Sequence, residues 1–89
     1  MRVLYVTANN YKAHSEFKEA AARCTGKAVV RHSRDFIEWG VNDSIYFEGI
    51  TSLEDARRMA GRSFDLILFD TNFDNEEIKA YLHPLVRPI

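Results

Sequence analysis

Two groups of side chains have the types and spacing to do chemistry. The first is Asn9, Asn10, Asp70 and Thr71, which stand at the ends of two short apolar runs, Val3 to Ala8 and Phe64 to Phe69. A carboxylate with amide and hydroxyl neighbours can hold Mg²⁺ and, through it, a phosphate. The same residue types also cap helices and build turns. The second group is Arg31 and Arg34 with the aromatic residues Phe36, Trp39 and Tyr46. Guanidinium groups beside large rings suit contact with another macromolecule. No nucleophile–base pair is apparent. His14, His32 and His83 share no metal-ligand spacing, and the single Cys24 adds little, so neither a catalytic residue nor a metal site is expected.

The elements that must position these residues follow an α/β order. Phe64 to Asp70 is too short and too apolar for a surface helix and reads as a strand buried on both faces, as in a parallel sheet. Val3 to Ala8, β-branched and apolar, reads the same way. Between Tyr11 and Cys24 the residues Ala13, His14, Phe17, Ala20, Ala21 and Cys24 recur at helical steps, and Gly26 suits a left-handed stop. Ala28-Val29-Val30 suggests a short strand. Ile37 and Trp39 then face Ile45 and Phe47 in an expected antiparallel hairpin, the rival being a short helix from Ser33 to Gly40. Thr51 and Glu54 form a capping box for a helix carrying Leu53, Ala56, Met59 and Ala60 inward. Asp74, with Glu77, caps a last helix that buries Ile78, Tyr81, Leu82 and Leu85.

Composition narrows the class. In 89 residues, 46% are hydrophobic and the charges nearly balance, 12 basic against 13 acidic. One small domain spanning residues 1–89 is expected, without the basic face of a nucleic-acid binder. A lone cysteine suits a reducing compartment, and the opening apolar run is too short for a signal peptide or membrane span. The expectation is therefore a cytoplasmic protein without membrane contact. Right-handed crossovers would set the strands of Val3 and Phe64 side by side and parallel, gathering Thr7, Asn9 and Asn10 with Asp70, Thr71 and Asn72.

Some stretches resemble known families. Asn42-Asp43-Ser44-Ile45-Tyr46-Phe47 and Ala60-Gly61-Arg62-Ser63-Phe64-Asp65-Leu66-Ile67-Leu68-Phe69-Asp70 resemble the ATPase core of phage large terminases and related helicase-like P-loop proteins. The opening strand with its Phe17-bearing helix is similar to the strand and helix that follow the P-loop there. In that family the matching strand, the Walker B strand, ends in Asp-Glu. Here Asp70 matches the aspartate, but Thr71 replaces the water-activating glutamate, and Gly26-Lys27, followed by Ala28, is no phosphate loop. The resemblance implies an inactive relative carried by a phage or mobile element. Thr51 to Asp70 also resembles part of a response-regulator receiver with Asp70 as phosphoacceptor. Ala8, Asn9 and Asn10 stand where its metal-binding acids would be, so phosphorylation is not expected.

The sequence thus points to an α/β domain with a small, mostly parallel sheet of three to four strands, one hairpin, about three helices and Rossmann-like layering. The expected function is a non-enzymatic regulatory or accessory protein that binds another macromolecule, a protein before a nucleic acid, through Arg31, Arg34, Phe36, Trp39 and Tyr46. No cofactor is expected on this reading. The alternative is a small nucleotide- or phosphate-binding domain with Mg²⁺ at Asp70, flanked by Asn9, Asn10 and Thr71. Self-association into a homo-oligomer is a third reading, suited to a thin core.

Overall fold

A computed structural model describes residues 1–23, 29–31, 35–39 and 43–86, with the side chains of 29–31 left aside. Cys24, Gly26, Arg34 and residues 40–42, where a turn was expected, lie outside the described residues. In chain order the elements are β1 (Arg2–Thr7), α1 (Asn10–Arg23), β2 (Val29–Arg31), β3 (Phe36–Trp39), β4 (Asp43–Gly49), α2 (Leu53–Arg57), β5 (Leu66–Phe69) and α3 (Glu76–Leu82). A 3₁₀ turn at His83–Leu85 follows. The sheet has five strands, not the three to four expected, because the short segment of Val29 pairs onto the hairpin as its outer strand; the order is β2-β3-β4-β1-β5. β1 pairs in parallel with both β4 and β5, and β3 is antiparallel to β2 and β4. Four strands therefore run one way and only β3 opposes them. The hairpin forms as expected, with Phe36 opposite Tyr46 and Ile37 opposite Ile45.

Side-chain alternation divides the sheet into two faces. Leu4 and Val6 pack on one face with Ile50, Ala56, Met59, Phe64, Phe73, Ile78 and Leu82, so α2 and α3 cover that side. Ile37 and Phe47 pack on the other with Ala13 and Phe17 of α1. This division follows from topology. The chain leaves β1 towards β4, then crosses back over β1 to β5. Crossovers of one hand in opposite directions must lie on opposite faces.

Three local expectations need correction. β5 is an edge strand, and Leu66 and Leu68 are 40% and 41% exposed, so it is not buried on both faces. The cause is that α1 lies over β4 and β1, and no described helix covers β5 on that side. The cap of α2 is Ser52, whose hydroxyl accepts from Asp55 N–H, while Thr51 donates to the Asp55 carboxylate. The pair shifts by one residue because Asp55, not Glu54, faces back to the cap. Likewise Asn75 caps α3 by accepting from Ile78 N–H, displacing Asp74. Ile78 and Leu82 are buried as expected, with Tyr81 and Leu85 packed beside them.

Gly49, at the end of β4, lets the β1–α1 turn lie directly on the sheet. A Cβ there would collide with the backbone of Asn9 and Asn10. Backbone cannot rotate away as a flexible side chain can. Gly49→Ala should therefore destabilise the protein by at least about 1–3 kcal/mol in chemical denaturation. Gly61 has open space but a φ of 87°. Gly61→Ala should cost only about 1 kcal/mol, from backbone strain alone.

Candidate functional site

Asp70 follows β5 at the point where the chain's crossovers reverse about β1, the position where open α/β sheets form a crevice. Backbone bonds fix it: Asp70 N–H donates to Val6 O at 2.9 Å, and Phe73 N–H donates to Asp70 O at 2.9 Å. Its carboxylate is buried, and Lys12 of α1 brings its ammonium to 2.5 Å from Oδ2. Tyr5 donates its hydroxyl to Oδ1 at 3.3 Å. The Lys12 contact is the main reason the Asp70 carboxyl titrates below its ordinary range, against burial, with the Tyr5 hydroxyl and Thr71 N–H adding to the effect. The Tyr5 phenol is pushed up, first by burial and then by the Asp70 charge. The negative charge at this crevice is already balanced by a lysine. A metal ion here would have to displace it.

The other residues expected around Asp70 are spread out. Thr7 is fully buried and donates to Asn9 O at 2.7 Å. The Asn9 carboxamide accepts from Lys12 N–H at 2.7 Å and caps α1. Thr71 is exposed and contributes its backbone N–H. Asn10 lines a different cleft. The sequence placed Asp70 at the end of β5, but the structure does not gather Asn9, Asn10 and Thr71 side chains around it. Lys12, in the first turn of the helix that follows β1, was not singled out by the sequence.

The hairpin aromatics do not form one outer surface. Phe36 is buried, with its ring 4.5 Å from Tyr46. Trp39 is 42% exposed and, three residues on, points to the opposite face. Tyr46 lies beneath Arg62 and Arg2, whose guanidinium carbons are 4.6 and 5.8 Å from its ring centre. The Arg31 side chain and Arg34 lie outside the described residues. Large exposed apolar surface appears instead on β5, at Leu66 and Leu68. Among the described residues the outer side of β5 meets no other strand, apart from a bridge between Phe64 and Val86.

A cleft of about 660 Å³ opens beside the carboxyl half of β4. Arg2, Asn10, His14, Asp35, Glu48 and Arg62 line it, with Tyr46 and Phe47 as walls. His14 and Asp35 are joined through Nδ1 and Oδ1 at 2.9 Å. Asp35 holds a φ of 46°, a left-handed conformation that aspartate tolerates better than most residues. Burial raises the Glu48 pKa, opposed by the Arg62 charge and reinforced by Asp35. These residues come from separate parts of the chain, so no linear motif announced them. His14 had been placed on the apolar face of its helix, whereas it is exposed and paired. Among the described residues no three His, Cys, Asp or Glu side chains are grouped to hold a metal ion. No helix among them is long and apolar enough to cross a membrane.

Comparison of the chain with protein-family models, with curated proteins and with solved structures finds no match in any of the three.

Lys12→Met should destabilise the protein by about 1–3 kcal/mol, a discounted value for a pair whose lysine is partly exposed, because it strands a buried carboxylate. Adding Asp70→Asn should recover part of that loss in the same urea titration. The folded-state pKa of Asp70 lies below its ordinary value of 3.8. The pair's contribution is therefore complete above that pH and is lost as pH falls through the folded-state value. Glu48 behaves oppositely, since its folded-state pKa lies above 4.5. Its cost to folding is present above the raised value and disappears as pH falls towards 4.5. Glu48→Gln should increase stability at pH 7 and flatten that part of the stability–pH curve.

Proposed function

We propose that this chain is a non-enzymatic binding domain whose partner is another protein, held as an added strand along β5. The carrying observation is a mismatch between composition and place. Leu66, Ile67, Leu68 and Phe69 are apolar on both faces, the pattern of an interior strand, yet β5 is at the edge. Ile67 and Phe69 pack against the core below α3, while Leu66 and Leu68 stay open. An open edge with an apolar face suits strand addition, in which main-chain bonds give affinity and alternate side chains give specificity. The Rossmann-like layering suggested by the sequence would continue past β5, and the partner's strand would extend it.

Charge favours a particular partner. Residues 71 to 77, directly after β5 and the paired Asp70, carry Asp74, Glu76 and Glu77 and no Lys or Arg. An apolar strand framed by basic residues complements this edge. A second copy would bring two acidic edges together. Balance of the Asp70 charge by Lys12 supports binding over metal-dependent chemistry at the strand ends.

The test uses two synthetic strand-forming peptides with the same apolar centre, one flanked by lysines and one by glutamates. The lysine-flanked peptide should shift and protect the backbone amides of Leu66 to Phe69 in NMR spectra, and Leu66→Asp with Leu68→Asp should weaken it at least tenfold. Trp39→Ala should leave it unchanged. Equal binding of both peptides, or shifts centred on Trp39, would contradict the proposal. A concentration-dependent dimer in sedimentation would assign the edge to a second copy.

A further inference from the structure

We propose that the cleft beside β4 binds a phosphomonoester that also carries hydroxyl groups, with the phosphate on Arg2 and Arg62 and the hydroxyls on Asp35 and Glu48. The site is separate from the β5 edge and does not depend on the reading above.

The argument begins with two like charges held over the same rings. The Arg62 guanidinium carbon is 4.6 Å from the Tyr46 ring centre and 5.3 Å from that of Phe64. For Arg2 the distances are 5.8 and 5.5 Å. Attraction of both cations to the ring faces offsets part of their mutual repulsion. Among the described residues neither group has a carboxylate within ion-pair distance; Arg62 instead points Nη1 at the Met59 sulfur, 3.6 Å away. Two half-buried forks, with Glu48 near Arg62 but no carboxylate in direct ion-pair contact among the described residues, form a seat for an anion that accepts bidentate hydrogen bonds.

The rest of the cleft narrows the ligand. Asp35 and Glu48 accept hydrogen bonds, which a hydroxylated ligand can donate and inorganic phosphate alone cannot do as extensively. The His14 ring meets Asp35 through Nδ1, which leaves Nε2 for a further polar contact with a ligand. Asn10 provides a donor and an acceptor at the start of α1. The volume of about 660 Å³ suits a ligand of nucleotide size. A sugar phosphate and a nucleoside monophosphate share this chemistry.

The experiment is a titration of isotopically labelled protein, followed by NMR, with AMP, ribose 5-phosphate, adenosine and inorganic phosphate. AMP or ribose 5-phosphate should shift the Arg2 and Arg62 side-chain N–H signals and the Glu48 amide at millimolar concentration or below. Adenosine should not. Binding by both phosphomonoesters assigns the sugar phosphate as the recognised unit; binding by AMP alone adds the base. Arg62→Gln and Arg2→Gln should each weaken binding at least tenfold, whereas Arg57→Gln on exposed α2 should not. Circular dichroism and thermal melting of each variant separate lost binding from lost folding. If Arg62→Gln unfolds the protein, Arg62→Lys, which keeps the charge but not the fork, should weaken binding three- to tenfold. No shift with either phosphomonoester, or equal affinity in folded Arg62→Gln, would overturn the assignment. Equal affinity for inorganic phosphate would overturn the role given to Asp35 and Glu48.

Discussion

β1 must be hydrogen-bonded along both sides, and the remaining architecture depends on that condition. Asp65 N–H donates to Arg2 O and Asp70 N–H to Val6 O on one side. Ser44 N–H donates to Met1 O and Ile50 N–H to Thr7 O on the other. The two neighbours are therefore anchored beyond both ends of the strand. With its polar backbone satisfied, β1 can bury Leu4 and Val6 completely on one face and Thr7 on the other. β4 and β5 must both run parallel to it, so α1 and α2 are forced onto opposite faces. Among the described residues the same arrangement leaves β5 with one neighbouring strand.

The two proposed surfaces both trace to this asymmetry. On the β5 side the crevice at the strand ends is filled by the Lys12–Asp70 pair, and the side chains left available are the apolar ones of Leu66 and Leu68. On the β4 side the hairpin partner β3 begins only at Phe36, leaving the carboxyl half of β4 beside a polar cleft. Gly49 brings the start of α1 close enough for Asn10 and His14 to reach that cleft. One helix start thus separates a charge-balanced crevice from an open polar one.

Much of the architecture was legible because it depends on local patterns. The apolar runs located β1 and β5, helical spacing placed Ala13 and Phe17 inward, and paired alternation defined the hairpin. Adjacency of β1 and β5 followed from crossover geometry. What could not be read was which strand would lie at the edge, since Leu66 to Phe69 has the composition of an interior strand in either place. Cap positions shifted by one residue because neighbouring Thr51 and Ser52, or Asp74 and Asn75, offer similar side-chain acceptors. Asp70 was legible as a strand-end carboxylate. Its lysine partner and the Arg2–Arg62 pair were not, because such contacts depend on the three-dimensional approach of residues distant in sequence.

The central claim is that, among the described residues, β5 has β1 as its one strand neighbour while β1 is bonded along both sides, and amide hydrogen exchange tests it most directly. In a parallel pair, alternate N–H groups of an edge strand point away from its neighbour. The amides of β1 should exchange only on global unfolding, while in β5 protected and rapidly exchanging amides should alternate between Leu66 and Phe69. Strong protection of every amide in β5 would mean that its outer side is already paired, and would contradict this account.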